Sequence, residues 1–240
     1  MDEPTAPPII LWEDPHGLAV DKPAGLLTQG TGSGEVTLED RVRRHLRPAD
    51  PASAYVGTVH RLDRPVSGVI LWAKTRKAAR RWAEQFARRE VRKEYRAIVE
   101  AGRAPTGDRG TWDDWLTPPD VSGRARVVAP GTIGASRAST SFEVIREGGI
   151  SEGFLLLRLR PETGRTHQLR AQSAARGLPI VGDAAYGSAR AFPVGIALHA
   201  RSLTVFHPVD RRSIVFEARE PDAWSGWLAD RSASRGVSRR

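Results

Sequence analysis

The 240-residue sequence contains no cysteine, which excludes disulfide bonds, thiol nucleophiles and cysteine-ligated zinc sites. It also contains no apolar run near the roughly 20 residues that a membrane-spanning helix needs. The first ten residues, MDEPTAPPII, combine acidic residues with prolines and lack the basic start and apolar stretch of a secretory signal. We therefore expect a cytoplasmic protein with no membrane partner.

Several common cofactor and catalytic signatures are also missing. The glycine-rich stretch from Gly30 to Gly34 has neither the Lys-Ser/Thr of a phosphate-binding loop nor the third glycine of a dinucleotide fingerprint. No serine nucleophile elbow occurs. Six histidines lack the spacing of metal ligands, namely His16, His45, His60, His167, His199 and His207. We expect no cofactor and no metal ion.

Basic residues are in excess, because 37 lysines and arginines face 28 acidic residues, which gives a formal net charge of +9. Most of them are arginine, whose guanidinium binds phosphate in a bidentate way and stacks on bases. The excess therefore favours a polyanionic partner such as a nucleic acid. GC-rich coding would also raise the arginine content, so composition alone leaves both explanations open.

Short segments rich in β-branched and aromatic residues alternate with helical patterns. We predict strands at Ile9–Trp12, Leu18–Asp21, Val69–Ala73, Tyr95–Val99, Phe142–Ile145, Phe154–Leu159, Ala197–Val205 and Ile214–Ala218. We predict helices at Leu38–Leu46, Arg76–Arg89, His167–Arg176 and Ala223–Ala229, the second with an apolar stripe of Ala79, Trp82, Ala83 and Phe86. Helices and plain loops both separate the strands, which favours an α+β domain with a largely antiparallel sheet. The Gly/Pro-rich segment 102–138 predicts a long loop or a hairpin insertion.

An aspartate between two arginines is the first candidate for chemistry. Asp63 lies in the segment HRLDRPVSG, where Pro65 and Gly68 predict a turn before a strand. Because an adjacent cation keeps a carboxylate ionised, Asp63 could act as a nucleophile or a base. The alternative is an aspartate that caps the turn and pairs with Arg61 or Arg64.

Two further segments carry candidate anion-binding residues. In PETGRTHQLR, a turn followed by a helix brings Arg165 and the helix amides together, and Arg170 lies five residues later, off that helical face. From Arg76 to Arg96, nine basic residues face three acidic ones, which is either a phosphate-binding stripe or a solvated helix face. Tyr95 heads a strand in this second segment, where core packing is its simplest role.

Together these segments resemble the RluA family of pseudouridine synthases. The segment HRLD at 60–63, with Ser67-Gly68, is similar to the catalytic motif of that family. KPAGLL at 22–27 resembles its N-terminal motif, and KEYRA at 93–97 its tyrosine motif. GRTHQLR at 164–170, followed by Gly182-Asp183 and Tyr186-Gly187, resembles its basic motif, with Ala171-Gln172 where relatives often have Val-His. The motifs occur in the family's order, and the resemblance covers roughly residues 10 to 220.

The resemblance implies the chemistry and the site. Uracil would be detached from its ribose, turned and rejoined through a carbon–carbon bond, without a cofactor. Asp63 would attack the anomeric carbon or ring carbon six, or promote a glycal route; Arg170 would pair with Asp63, and Tyr95 would stack on the flipped uracil. The residues to which RNA binding is assigned are Arg61, Arg64, Lys93, Arg165, His60 and His167, and Arg61 would also fill the space left by the extruded base.

The implied fold is α+β, a pseudouridine synthase catalytic domain with a central mixed, mostly antiparallel sheet and flanking helices around a basic cleft. We expect this domain over 10–228, a flexible N-terminus over 1–9 and a disordered basic tail over 229–240. The implied partner is a stem-loop of ribosomal or transfer RNA, bound by a monomer. Two rivals remain: an RNA-binding factor without activity, and a glycosidase with two carboxylates, for which Asp183 is a weak second candidate.

Overall fold

The computed structural model describes residues 6–30, 32, 34–101, 107–145, 150 and 152–227. The chain divides into a first unit, Met1–Glu94 with His199–Arg219, and a second unit, Tyr95–Leu198 with Glu220–Arg240. The single domain expected over 10–228 stays a prediction. Of the N-terminus expected to be flexible, residues 1–5 lie outside the described residues, as does the whole predicted tail at 229–240.

The part of the first unit that the structure describes forms a mixed sheet and two α-helices. Its elements are β1 (Ile9–Glu13), β2 (Gly17–Lys22), α1 (Leu38–Leu46), β3 (Gly57–Thr58), β4 (Ser67–Ala73), α2 (Arg76–Ala87), β10 (Leu198–Phe206, of which Leu198 is assigned to the second unit) and β11 (Ser213–Glu217). β2 pairs with β1 and β4, β3 with β4, and β11 with β10, all antiparallel. β4 and β10 pair in parallel.

Gly68 allows this parallel pairing to form. Its φ is +113°, and a Cβ added there would lie 2.3 Å from the Ala200 carbonyl oxygen. Any larger residue would strain the backbone and push the two strands apart. The start of β4, which follows the Asp63 turn directly, is therefore fixed against β10.

Helix α2 packs on this sheet through Trp82, which is fully buried and donates its indole N–H to the Phe206 carbonyl oxygen at 3.0 Å. The predicted stripe is partly wrong, because Ala83 is exposed, whereas Ala78 and Gln85 are buried beside Trp82. Gln85 bonds the backbone of Phe206 in both directions, at 2.8 Å each, and a polar side chain can be buried when it is satisfied in this way. The helix ends before the predicted Arg89, which adopts a left-handed conformation with a φ of 59°.

The described residues of the second unit form an antiparallel sheet with one α-helix. Its elements are β5 (Arg92–Glu100, whose first three residues are assigned to the first unit), β6 (Arg109–Leu116), β7 (Val127–Val128), β8 (Ser136–Ile145), β9 (Phe154–Pro161) and α3 (Gln168–Ala174). The strand order is β5-β9-β8-β6-β7. For the described part of segment 102–138, the hairpin alternative is confirmed, because β6 pairs with β8 across the connection 117–135.

Gln172 fastens α3 to the sheet of the second unit. Its side chain is fully buried; its amide nitrogen donates to the Trp112 carbonyl oxygen at 3.0 Å and to Asp114 Oδ2 at 2.7 Å. Its amide oxygen accepts from the hydroxyl of Thr140 at 2.7 Å. A buried amide whose hydrogen bonds are all satisfied fixes the position of its helix against the sheet. These bonds therefore set where the α3 side chains lie.

The predicted α+β class with a mixed, mostly antiparallel sheet is confirmed. The helix predicted at Ala223–Ala229 is wrong for its described part, where Asp222–Trp224 forms a single 3-10 turn. Ser225 donates its hydroxyl to the Asp222 carbonyl oxygen at 2.7 Å, and Gly226 follows, so both residues disfavour continuation of the helix.

Candidate active site

Asp63 lies in a turn whose backbone is held on both sides. The Thr28 hydroxyl donates to the Leu62 carbonyl oxygen at 2.7 Å, and the Gly25 N–H donates to the Arg64 carbonyl oxygen at 2.8 Å. The Val66 N–H closes the turn on the Asp63 carbonyl oxygen at 3.0 Å. Asp63 itself is half-buried. The backbone from which its side chain extends is therefore fixed, while the carboxylate stays accessible to solvent.

Lys22 also contacts the backbone of the Asp63 turn. Its side chain is fully buried, and its Nζ donates to the carbonyl oxygens of Pro23, Leu26 and Arg64 at 3.0, 2.7 and 3.1 Å. Burial lowers the pKa of Lys22 to about 7, and the charge of Asp63 opposes that shift. The Lys22 side chain thus joins the KPAGLL segment to the Asp63 turn, and its protonated form places a cation close to the carboxylate.

The two arginines that flank Asp63 in sequence are both exposed. Arg64 pairs with Glu35 at 2.9 Å and donates its Nε to the Gly25 carbonyl oxygen at 3.0 Å. Because a surface ion pair contributes little, the Arg64 guanidinium can exchange Glu35 for a phosphate at small cost. The roles of Arg61 and Arg64 in RNA binding stay predictions.

His60 fixes the start of the Asp63 segment from within the first unit. Its Nε2 accepts the Leu71 N–H at 2.9 Å, and its ring stacks on Phe86 with 5.0 Å between centroids. Burial, with the charge of Lys93 second, lowers the pKa of His60 to about 3, so the ring is a neutral acceptor near pH 7. An RNA contact by His60 stays a prediction, whereas its role as an acceptor for the β4 backbone is observed.

This neutral histidine predicts a loss of stability in acid. The pKa of His60 is near 6.5 in the unfolded chain and about 3 in the folded one, so its contribution is complete above pH 6.5 and is lost as the pH falls toward 3. We expect the free energy of unfolding to lose up to about 1.4 kcal/mol per pH unit in this window. In urea titrations from pH 7 to pH 4, the His60→Gln variant should lack this part of the slope. Equal slopes in the two proteins would contradict the prediction.

A buried pair of polar side chains lies at the start of β4, directly after the Asp63 turn. Ser67 Oγ and His199 Nδ1 are 2.9 Å apart, and His199 Nε2 lies 3.3 Å from the Ala218 carbonyl oxygen. With its proton on Nε2, the imidazole donates to Ala218 and accepts the serine hydroxyl. The sequence showed Ser67 as part of a motif but not its partner, which is 132 residues away.

In the second unit, Arg170 lies on α3 with its side chain 8% exposed. Its Nε and Nη2 donate to the two carboxylate oxygens of Asp183 at 2.7 and 2.8 Å. Its guanidinium also lies over the Tyr186 ring, 4.8 Å from the centroid. The predicted pairing of Arg170 with Asp63 stays a prediction, and the part played by Asp183 was missed, although the sequence had singled it out as a weak second carboxylate.

The turn before α3 differs from the predicted one. The helix begins at Gln168, and His167 precedes it in a left-handed conformation with a φ of 55°. His167 Nδ1 is 3.0 Å from the Tyr186 hydroxyl oxygen. Arg165 is exposed and donates its Nε to the Arg137 carbonyl oxygen at 3.1 Å, so Arg165 and Arg170 lie in different environments, as the five-residue spacing predicted.

The remaining predicted site residues lie on β5. Tyr95 pairs in register with Leu159 of β9 and is half-buried, so it is not a simple core residue. Lys93 is also half-buried, and burial lowers its pKa. Asp63 belongs to the first unit, and Tyr95 and Arg170 to the second, so their joint action stays a prediction.

The described residues contain no group of three or more His, Asp or Glu side chains suited to a metal ion. Among their helices, none is both long enough and apolar enough for a membrane span.

Most of the chain is similar to known RNA pseudouridine synthases. The RNA pseudouridylate synthase family profile matches residues 16–175. The dual-specificity RNA pseudouridine synthase RluA of Escherichia coli K12 is 36% identical over 217 residues, 88% of this chain and 92% of the relative. The ribosomal large subunit pseudouridine synthase D of Xanthomonas campestris is 37% identical over 231 residues, 89% of this chain and 66% of the relative.

The fold also resembles that of a solved RNA pseudouridylate synthase domain. The structure titled human RNA pseudouridylate synthase domain containing 1 superposes with a TM-score of 0.72 at 26% identity, covering 91% of this chain and 85% of that one. Fold and motifs therefore define an isomerase that acts on uridine in RNA. The chain belongs to the RluA family of RNA pseudouridine synthases.

Proposed function

We propose that this enzyme converts specific uridines of ribosomal or transfer RNA to pseudouridine, with Asp63 as nucleophile and without a cofactor. The observation that carries the proposal is the fixed Asp63 turn, which the buried Lys22 side chain joins to the KPAGLL segment. Covalent catalysis needs such a nucleophile with a defined position and an ionised form. The name of the large-subunit relative supports ribosomal RNA, and the name of a further relative, the tRNA pseudouridine synthase C of Pectobacterium carotovorum (33% identical over 239 residues), supports transfer RNA.

The reaction breaks and makes one bond each at the same sugar carbon. The bond from uracil N1 to the anomeric carbon breaks, and the bond from ring carbon five to that carbon forms. Carbon five then loses its proton to solvent while N1 gains one, so atoms balance and no electrons leave the system. Attack of Asp63 on the anomeric carbon, attack on ring carbon six and a glycal route all require its ionised carboxylate.

The proposed roles of the other residues follow from their chemistry. Arg170 presents a guanidinium that would keep a carboxylate charged in a water-poor site. Tyr95 offers an aromatic face to an extruded uracil, and Arg61 would fill the space that the base leaves in the RNA. Contacts with the RNA backbone are proposed for Arg64, Arg165, Lys93, His60 and His167.

Nucleoside analysis of RNA after incubation with the enzyme tests the proposal. Ribosomal and transfer RNA that lack the native modification should yield pseudouridine in place of uridine, with no free uracil. Free uracil with abasic sites would identify a glycosidase instead. The structure gives that rival little support, because both oxygens of Asp183 accept from Arg170 and Asp183 is therefore poorly suited as a general acid.

Salt should weaken RNA binding strongly. The exposed face of α2 presents Arg76, Lys77 and Arg80, Arg88 follows directly after the helix, and Arg61 and Arg165 are exposed too. If about four of these cations displace counterions, the affinity falls by roughly 50-fold between 50 and 200 mM salt. Filter binding across this range measures the slope, and Arg80→Gln should reduce it. An affinity that does not change with salt would show that the basic face is only solvated.

A further inference from the structure

The ion pair between Arg170 and Asp183 is buried almost completely. The side chain of Arg170 is 8% exposed and that of Asp183 is 2% exposed, and their two bonds use one edge of the planar guanidinium. A buried pair gains less for stability than its geometry suggests, because both charges lose their water. A bidentate pair does fix the plane and the direction of a guanidinium, which is what a catalytic arginine needs.

A single short turn supplies both contacts to this guanidinium. Residues Ala184–Tyr186 form one 3-10 turn, and the Tyr186 N–H donates to the Asp183 carbonyl oxygen at 2.9 Å. Asp183 therefore approaches the edge of the Arg170 guanidinium, while the ring of Tyr186 lies 4.8 Å from its Cζ. Edge and face are both held, so the guanidinium has little freedom to tilt.

The Tyr186 hydroxyl joins the turn to two further segments. The Ala125 N–H donates to it at 2.9 Å, and the Ala125 carbonyl oxygen lies 3.2 Å away. His167 Nδ1 lies 3.0 Å away on another side. Ala125 is 1% exposed and belongs to the connection between β6 and β8, so one phenol links that connection, the left-handed His167 and the Arg170 guanidinium.

We propose that Asp183 and Tyr186 are positioning residues, which hold the Arg170 guanidinium in its working orientation for uridine isomerisation. Asp183 fixes its edge and Tyr186 its face, and the Tyr186 hydroxyl ties residue 125 to the same network. Neither residue is required to touch RNA. The inference rests on the proposed function, because Arg170 has a working orientation only if it takes part in that reaction.

The second unit offers a matched control pair. Arg176 lies on Trp112, 5.0 Å from the ring centroid, and pairs with Asp114 at 3.0 Å. The Arg176 side chain is 28% exposed, and the arrangement again combines one arginine, one carboxylate and one aromatic ring. It lies outside the motifs. Because Asp114 also accepts from Gln172 of α3, the control variant is Arg176→Gln, which leaves that bond in place and should affect stability without a specific effect on the chemical step.

The test is a double-mutant cycle with single-turnover rates and RNA affinities. Asp183→Asn should lower the rate constant by about 100-fold, because small misplacements of a catalytic group are costly, while the Kd for RNA stays within about threefold. Tyr186→Phe should lower the rate by about fivefold, and Arg176→Gln by less than about twofold. In an Arg170→Lys background, Asp183→Asn should cost less than about threefold, since lysine has no fork to align.

Each other outcome has a defined meaning. Equal losses from Asp183→Asn in the wild-type and Arg170→Lys backgrounds would overturn the proposal, as would equal losses from Asp183→Asn and Arg176→Gln. If Asp183→Asn does not fold, the rate loss caused by Tyr186→Phe is compared between the wild-type and Arg170→Lys backgrounds instead, and equal losses would again overturn the proposal.

The Nε–H signal of Arg170 in NMR spectra supplies a readout without RNA: it should be protected from exchange in the wild type and lost in Asp183→Asn. Wild-type protein that makes no pseudouridine would refute the proposed function, whereas an unprotected Arg170 signal in an active enzyme would refute the positioning role alone.

Discussion

Replacing Asp63 with asparagine is expected to lower the rate of pseudouridine formation by at least about 10³-fold, the scale seen when a covalent nucleophile is removed. Asparagine has nearly the same shape, so the turn held by Lys22 and Thr28 should persist. It lacks the negative charge that each proposed route needs. Single-turnover assays on RNA that lacks the modification measure the effect, and filter binding should give an RNA affinity within about threefold of wild type.

Asp50→Asn is the matched control for this prediction. Asp50 is exposed and makes no side-chain capping bond to the turn that follows it, so its replacement should change neither rate nor affinity. An Asp63→Asn enzyme that keeps more than a tenth of the wild-type rate would contradict a nucleophilic role. A variant that loses RNA affinity as well as rate would indicate that Asp63 mainly shapes the binding surface.

Lys22→Met should produce the second large effect, on both stability and rate. Methionine fills a similar volume but leaves the carbonyl oxygens of Pro23 and Leu26 without their buried donor. Loss of these bonds costs about 2 to 4 kcal/mol, and removal of a charge that burial destabilises returns part of it. We expect the free energy of unfolding to fall by about 2 kcal/mol and the rate constant by at least tenfold, because the Asp63 turn loses its link to the KPAGLL segment.

Lys74→Met provides the comparison for Lys22. Lys74 pairs with Glu13 at 2.8 Å near the surface of the same unit, so its loss should cost less than about 1 kcal/mol and leave the rate unchanged. Chemical denaturation and single-turnover assays of the two variants give both quantities. If Lys22→Met and Lys74→Met behave alike, the buried lysine does not hold the active turn.

Local signals explain which elements could be predicted. Helix α1 was predicted with its exact bounds, because Thr37 and Asp40 form a capping box and the apolar residues recur with the helical period. Strand β4 was recognised from its run of buried apolar residues, which starts after the glycine that its pairing with β10 requires. In these segments the local sequence and the tertiary packing favour the same structure.

The missed features depend on contacts between distant parts of the chain. Strand β6 carries two acidic residues, Asp113 and Asp114, and therefore lacks an apolar strand pattern, yet its pairing with β8 holds it extended. The buried Lys22 side chain is satisfied in part by the carbonyl oxygen of Arg64, 42 residues later, and no spacing rule predicts that contact. The motif resemblance identified Asp63 and Arg170, whereas the three-dimensional structure was needed to find what holds each of them.

Release of tritium from RNA labelled at ring carbon five of uridine tests the central claim most directly, because the isomerisation must expel that hydrogen. Transcripts of ribosomal and transfer RNA that lack native modifications should lose tritium to water when the wild-type enzyme is present, in step with pseudouridine formation. The release should stop at a fixed number of sites and should be absent with Asp63→Asn. Absence of release from both RNA classes while binding persists, or release that does not depend on Asp63, would contradict the account.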